Sequence, residues 1–178
     1  MAVPGAIRLT SNWQRWWAKF EIYGTDFDGP ALIIDLDTLF LREFVIRPEH
    51  MDRICVMRDP WRDGCRFPER LGGGFMLLPK WARQELWEIW QEGPDNHIAK
   101  FGDNDQPFLH RYLADRALRL QDHYLDELVS YKVHVQSLGL QPENKVVYWH
   151  GQPRPWDCPE PWIPKLTNAA QPRQEIAA

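Results

Sequence analysis

Two acids that follow a short apolar run are the residues of this chain best suited to chemistry. Residues 31–34 read Ala-Leu-Ile-Ile and lead into Asp35 and Asp37, with one leucine between the two acids. Such a run predicts a buried strand, and carboxylates at its end need a cation, hydrogen-bond donors or water. Because hard divalent cations bind carboxylate oxygen, the spacing favours a metal site. On this pattern alone, two solvated acids at the start of a turn are the simpler interpretation.

A second group of reactive residue types follows another apolar run. Residues 145–149 read Lys-Val-Val-Tyr-Trp and lead into His150 and Gly151, and Arg154 stands between two prolines. A neutral imidazole binds metals, glycine lets the backbone approach a ligand closely, and a guanidinium matches two phosphate oxygens. These are the parts that a site for a metal and a diphosphate requires. Taken alone, His150 is more simply explained as a hydrogen-bonded structural histidine.

Asp105 and Gln106 begin a third candidate segment. Asp105 is a favourable N-cap residue, Pro107 suits a first helical turn, and an apolar stripe begins at Phe108. Aspartate at a helix start is commonly a cap and nothing more, so the helical pattern alone leaves a catalytic role open.

The elements that must position these segments follow from hydrophobic pattern and turn residues. We predict a helix over residues 12–23 with Ser11 as its N-cap, strands over 31–36, 54–57, 75–78 and 146–149, and helices over 79–90 and from 105 onward. A polar loop, residues 58–73, joins the second and third strands. This alternation predicts an α/β sandwich with a mixed sheet, as a single domain over residues 1–164. Residues 165–178 have too little apolar content to pack, and we expect a flexible tail.

Composition narrows the class of protein. A chain of 178 residues can bury one sizeable core, and a formal charge of -4 argues against nucleic acid as a partner. No run approaches the roughly 20 apolar residues of a membrane span, and the first residues lack a signal-peptide pattern, so we expect a cytoplasmic location. Three widely spaced cysteines without a C-x-x-C pair argue against a disulfide framework and a thiolate zinc site.

Together, and in this order, the segments resemble a glycosyltransferase of the GT-A fold. The likeness is to the glycogenin-like and lipopolysaccharide galactosyltransferase group, family 8, and to related phage-type transferases. Five blocks of the sequence match the family's motifs. In the first half of the chain, WWAKFEIY at 16–23 resembles W-x-K-x-x-x-F/Y, IDLDT at 34–38 resembles YLDLDT, and GFMLL at 74–78 resembles NSGVMLL. In the second half, DQ at 105–106 resembles GDQ, and HGQPRPW at 150–156 resembles HFHG-x-x-KPW.

The resemblance implies a function and a role for each candidate residue. It implies a GT-A-like mixed sheet flanked by helices, and transfer of a hexose, with retention, from a nucleotide diphosphate sugar such as a uridine diphosphate sugar. The acceptor would be a hydroxyl of a saccharide, a lipid-linked saccharide or a protein. Mn²⁺ or Mg²⁺ would be held by Asp35, Asp37 and His150. The diphosphate would lie at Gly151 and Arg154, and the donor sugar near two further residues, Asp105 and Gln106.

Three departures from the family pattern keep an alternative open. Only 34 residues precede Asp35, where the family has its first strand and base-binding groove, so the chain looks N-terminally short. Glycines 72 and 73 replace an Asn-Ser pair, and Arg154 replaces a lysine. A catalytically weak or inactive sugar- or nucleotide-binding domain is the alternative. A phosphatase of the haloacid dehalogenase type, with D-x-D-x-T, fits less well because Thr38 follows Asp37 directly.

Overall fold

Two sheets form the framework of the computed structural model, which describes residues 5–59 and 70–164. The strands are β1 (Ala31–Ile34), β2 (Thr38–Phe40), β3 (Cys55–Arg58), β4 (Leu71–Leu78), β5 (Leu118–Arg119), β6 (Leu128–Ser130) and β7 (Val146–Tyr148). The larger sheet has the order β1-β4-β3-β5, and the smaller has the order β2-β7-β6. β3–β5 and β6–β7 are parallel pairs, and the other pairs are antiparallel. Both sheets are therefore mixed, as the sequence predicts.

Helices connect and cover the strands. They are α1 (Lys80–Gln91), α2 (Pro94–Phe101), α3 (Gln106–Leu113), α4 (Leu120–His123) and α5 (Gln136–Leu138). Three 3₁₀ helices, Arg15–Ile22, Pro48–His50 and Pro155–Asp157, and a π-helical turn, Tyr131–Val135, complete the order. The predicted fold class, a mixed α/β sandwich, is confirmed. In residues 5–59 and 70–164, no helix is long and apolar enough to cross a lipid bilayer.

An aromatic cluster packs the first helix, Arg15–Ile22, against α1 and α3. The ring centroid of Phe20 lies 5.1 Å from Trp17, 4.5 Å from Trp90 on α1 and 5.0 Å from Phe108 on α3. All four side chains are buried, and each aromatic pair adds about 0.5–1.5 kcal/mol beyond area burial. The cluster therefore fixes the Arg15–Ile22 helix, and with it Lys19, relative to the start of α3.

Several element boundaries differ from the sequence prediction. The first helix is a 3₁₀ helix that begins at Arg15, so its N-cap position is Gln14 and not Ser11, whose backbone N–H donates to the Glu21 carboxylate at 2.6 Å. β1 ends at Ile34, two residues early. Helix α2 lies between the predicted helices 79–90 and 105 onward, where the sequence prediction has no element.

The strand predicted over residues 75–78, which is β4, is longer than predicted. β4 begins at Leu71, so glycines 72 and 73 belong to the strand and not to the predicted loop. The rest of that loop, residues 60–69, and the predicted tail, residues 165–178, lie outside the described residues.

Stability should fall on mild acidification because of one buried histidine. His50 is 4% exposed, and its Nδ1 lies 2.9 Å from the Tyr124 hydroxyl oxygen. Burial, and then the nearby His123, lower the pKa of His50 from 6.5. A depressed histidine pKa means that the unfolded chain binds the proton more tightly. The free energy of unfolding should therefore decline as pH falls below about 6.5.

Urea unfolding between about pH 7.5 and about pH 5 measures this effect. His50→Gln should flatten the decline, because glutamine does not titrate there. His97→Gln is the control, at a half-buried histidine that stacks on Trp90, and it should leave the slope as it is. An unchanged slope in His50→Gln would contradict the assignment.

Candidate active site

The first acid lies where β1 leaves its partner strand. The Asp35 backbone N–H donates to the Gly74 carbonyl at 2.8 Å, which extends the β1–β4 pairing by one residue. The chain then turns toward β2. A Cβ atom at Gly74 would lie 3.3 Å from Asp35 Oδ2. The carboxylate is therefore placed against the glycine run of β4.

The second acid and the histidine are brought together by the smaller sheet. Thr38 pairs with Tyr148, the last residue of β7. The residue after β7 continues the ladder, since the Trp149 backbone N–H donates to the Asp37 carbonyl at 2.9 Å. His150 follows directly. Its Nε2 lies 2.9 Å from Ser130 Oγ at the end of the neighbouring strand β6. The strand register thus positions Asp37 and His150 at the same sheet edge.

Arg154 returns to this edge through a tight turn. Gly151 has a φ of 65°, in the left-handed region that favours glycine. The guanidinium of Arg154 then forms an ion pair and hydrogen bond with the Asp37 carboxylate. The Cys158 thiol donates to the Arg154 carbonyl at 3.2 Å and accepts from the Trp149 indole N–H at 3.3 Å. The backbone of this turn is therefore anchored to β7.

A shared ammonium group holds the remaining acid. Lys19 Nζ lies 2.7 Å from Asp105 Oδ2 and 3.4 Å from Asp35 Oδ1, and it donates to the Gly73 carbonyl at 3.1 Å. The side chains of Asp105 and Lys19 are 2% and 14% exposed. Breaking such a buried pair typically costs about 3–5 kcal/mol, because the remaining charge has no partner.

The pKa shifts of this trio follow from one lysine serving two acids. Burial disfavours the Lys19 ammonium, but Asp105 and Asp35 outweigh it and raise the pKa of Lys19 above 10.5. Burial raises the pKa of Asp105 above 3.8, Lys19 opposes that shift, and the charge of Asp35 adds to it. Asp35 thus favours the lysine charge and disfavours the Asp105 charge.

The glycine run of β4 is explained by this ion pair. A Cβ atom at Gly73 would lie 2.9 Å from Asp105 Oδ2, 3.0 Å from Leu109 Cδ1 and 3.2 Å from Lys19 Nζ. Real Cβ atoms do not approach so closely without a shift of the neighbours. The absence of a side chain at Gly73 therefore makes room for the Lys19–Asp105 pair.

All seven site residues predicted from the sequence line one cavity of ≈ 590 Å³. They are Asp35, Asp37, Asp105, Gln106, His150, Gly151 and Arg154. Lys19, Trp16 and the glycines 72–74 also line it, with Arg70 and Asp59 on the wall. The cavity therefore combines acids, cations and an imidazole from segments that are distant in the sequence.

An apolar groove adjoins the cavity. It has a volume of ≈ 770 Å³ and shares Trp16, Lys19, Asp35, Asp37 and Arg154 with the cavity. Its other walls include two strongly exposed side chains, Leu36 and Trp156. A ligand that extends out of the charged cavity past Trp16 would meet an aromatic and aliphatic surface.

The predicted metal ligands fit a divalent cation in donor chemistry, since two carboxylates and an imidazole border one cavity. Within the described ranges, however, no group of three or more His, Cys, Asp or Glu side chains is arranged to hold a metal ion. Lys19 Nζ lies 3.4 Å from Asp35 Oδ1, and Arg154 pairs with Asp37, so cations of the protein contact both acids. The metal assignment for Asp35, Asp37 and His150 therefore stays a prediction.

Three contributors to the site were missed in the sequence, namely Lys19, Asn104 and Ser130. Lys19 lies within the block resembling W-x-K-x-x-x-F/Y, so a signal existed, but nothing local points to Asp105. The Asp105 side chain makes no capping hydrogen bond, and Asn104 Oδ1 instead accepts from the Gln106 backbone N–H at 2.9 Å. Ser130 carries no motif at all, because its contact to His150 depends on the pairing of β6 with β7.

Comparisons with known proteins identify a fold. No protein-family model matches the chain, and no curated protein matches it. The crystal structure of the glycosyltransferase GlyE in Streptococcus pneumoniae TIGR4 is similar, with a TM-score of 0.55 and 16% sequence identity. The match covers 83% of this chain and 40% of that one, so this chain spans well under half the length of the structure that it matches. This chain therefore has a glycosyltransferase-like fold.

Replacing Lys19 should destabilise the protein strongly at neutral pH. Lys19→Met leaves the buried Asp105 carboxylate without its cation, and we expect a loss of about 3 kcal/mol in the free energy of unfolding. The unpaired carboxyl should take up a proton at a higher pH than in the wild type, so the loss should shrink on acidification toward about pH 5. Urea unfolding at the two pH values measures both effects.

Arg116→Met provides the matched control. Arg116 forms a two-contact ion pair with Glu85 on the surface, and surface pairs contribute about 0–1 kcal/mol. An equal loss in both variants would show that the Lys19 pair has no special importance.

A methyl group at Gly73 should disturb the same pair. We expect Gly73→Ala to lower the free energy of unfolding by about 2 kcal/mol, because the new Cβ forces the carboxylate and Leu109 apart. Gly72→Ala should cost less than about 1 kcal/mol, since its nearest neighbour, at 3.1 Å, is the flexible Met57 side chain. Urea unfolding of the two variants tests the difference. A larger loss in Gly72→Ala would contradict the close-approach argument.

Proposed function

We propose that this chain is a glycosyltransferase of the GT-A, family 8 type, which moves a hexose from a nucleotide diphosphate sugar to a hydroxyl acceptor. One observation carries the proposal: residues selected from separate sequence segments for metal, diphosphate and sugar chemistry line a single cavity. The glycosyltransferase-like fold supports it. Arg154 and Lys19 bring two positive charges to the cavity, but three carboxylates pair with them, so a diphosphate would need a divalent cation as well.

The diphosphate side of the cavity is formed by the turn after β7. Arg154 offers a planar fork for phosphate oxygens, and Gly151 leaves the backbone accessible. Asp35, Asp37 and His150 would hold Mn²⁺ or Mg²⁺, which supplies Lewis-acid stabilisation of the nucleoside diphosphate leaving group. Ser130 orients His150 through its contact with Nε2.

The sugar side is formed by the start of α3. Gln106 would form hydrogen bonds with sugar hydroxyls, and the Asp105 carboxylate, which is 2% exposed at the cavity wall, would stabilise positive charge that develops at the anomeric carbon. Lys19 holds Asp105 in position against β4. Lys19 is therefore a positioning residue for Asp105 in this proposal.

A second candidate function is a sugar- or nucleotide-binding domain that does not catalyse transfer. The observation in its favour is that both acids assigned to the metal are paired with cations of the protein, Asp37 with Arg154 and Asp35 with Lys19. Binding of a nucleotide sugar without turnover would distinguish this function from transfer.

A donor screen tests the proposal. The protein is incubated with individual nucleotide sugars and Mn²⁺, with and without simple saccharide acceptors, and released nucleoside diphosphate is measured. We expect release from one donor, and a loss of about 100-fold or more in Asp37→Asn and in Asp105→Asn, because each removes a charge that the reaction uses.

Asp28→Asn is the control, since Asp28 is an exposed acid that pairs with Lys80 and is not part of the cavity lining. Its release rate should equal that of the wild type. Calorimetric binding of a donor without any release would favour the binding domain. Neither binding nor release with any donor would contradict both candidates.

A further inference from the structure

In the described structure, the Asp37 carboxylate has a cation of the protein as its partner. Its side chain is 11% exposed and pairs with the Arg154 guanidinium, which is 32% exposed. A largely buried carboxylate without a cation is costly. Arg154 therefore supplies the positive charge that Asp37 needs when no other cation is bound.

The backbone at Arg154 is fixed while its side chain has room to move. The Arg154 carbonyl accepts from the Cys158 thiol at 3.2 Å and from the Asp157 backbone N–H at 3.0 Å, where the 3₁₀ helix Pro155–Asp157 begins. The side chain borders both the charged cavity and the apolar groove. A change of rotamer could therefore move the guanidinium off Asp37 without moving the turn.

A guanidinium and a divalent cation compete for the same carboxylate. Both bind its oxygens, and two positive groups at contact distance repel each other. The Asp35 side chain is 38% exposed and can be solvated by water, whereas the Asp37 side chain is only 11% exposed and depends more on its cation. The competition should therefore be stronger at Asp37 than at Asp35.

We infer that Arg154 occupies the cation position at Asp37 in the free protein, so that it weakens metal binding until a diphosphate draws the guanidinium away. This inference rests on the proposed function and adds a coupling between two ligands. Arg154 opposes binding of the metal alone and favours binding of the metal together with a diphosphate. Because coupling is reciprocal, the metal also releases Arg154 for the diphosphate.

The inference predicts effects of opposite sign from one substitution. Arg154→Gln keeps a hydrogen-bonding side chain but removes the charge. Mn²⁺ alone should bind about fivefold more tightly to this variant, which is the strength of a partly exposed ion pair. Uridine diphosphate in the presence of saturating Mn²⁺ should bind more weakly, by about tenfold, since a charged contact to phosphate is lost. Isothermal titration calorimetry measures both affinities.

Arg70→Gln is the matched control. It removes a positive charge from the wall of the same cavity but not from Asp37. Its Mn²⁺ affinity should change by less than about twofold. An equal gain in Arg70→Gln and Arg154→Gln would show that the general field of the cavity is responsible, and this result would overturn the inference.

The remaining outcomes separate the inference from the proposed function. If Mn²⁺ binds to the wild type, and its affinity for Arg154→Gln is equal or lower, the inference is overturned. The glycosyltransferase proposal then still stands. No Mn²⁺ binding to either protein overturns the inference and the metal part of the proposal together. Transfer activity in the donor screen is a separate measurement and does not depend on these affinities.

Discussion

The candidate site depends on one ammonium group that two acids share. Lys19 links the first helix to the start of α3 through Asp105, to the end of β1 through Asp35, and to β4 through the Gly73 carbonyl. A buried carboxylate beside another acid is unfavourable without such a cation. The aromatic packing around Phe20 and the absence of a side chain at Gly73 are both conditions for that ion pair.

The charges that line the cavity determine which ligands it can bind. Three acids, Asp35, Asp37 and Asp105, face two cations, Lys19 and Arg154, that contact them directly. These five residues leave one negative charge in excess, which attracts a divalent cation and repels a lone diphosphate. A diphosphate should therefore enter this site more readily with a metal than without one. The proposed exchange of Arg154 between Asp37 and phosphate would make the binding of the two ligands dependent on each other.

The sequence predicts those parts of the site that are encoded locally. The apolar run before Asp35 predicts β1, and the run before His150 predicts β7, because each has a continuous hydrophobic pattern. β2 and β6 have three residues each, too few to show a period. Asp105 matches an N-cap locally, yet its carboxylate pairs with a lysine distant in the chain. Glycines favour a loop by propensity, but the approach of Asp105 requires Gly73 inside a strand.

The two adjoining spaces suggest how recognition would be divided under the proposed function. The charged cavity offers directional groups for phosphate and sugar hydroxyls, namely Arg154, Asp105 and Gln106. The groove beside it offers Trp16, Trp156 and Leu36, which present mainly apolar surface. Aromatic faces stack on any base or sugar ring, whereas hydrogen bonds distinguish one ligand from another. Donor selectivity in this chain should therefore come from the sugar side of the cavity, since the described groove contributes contact area and little discrimination between bases.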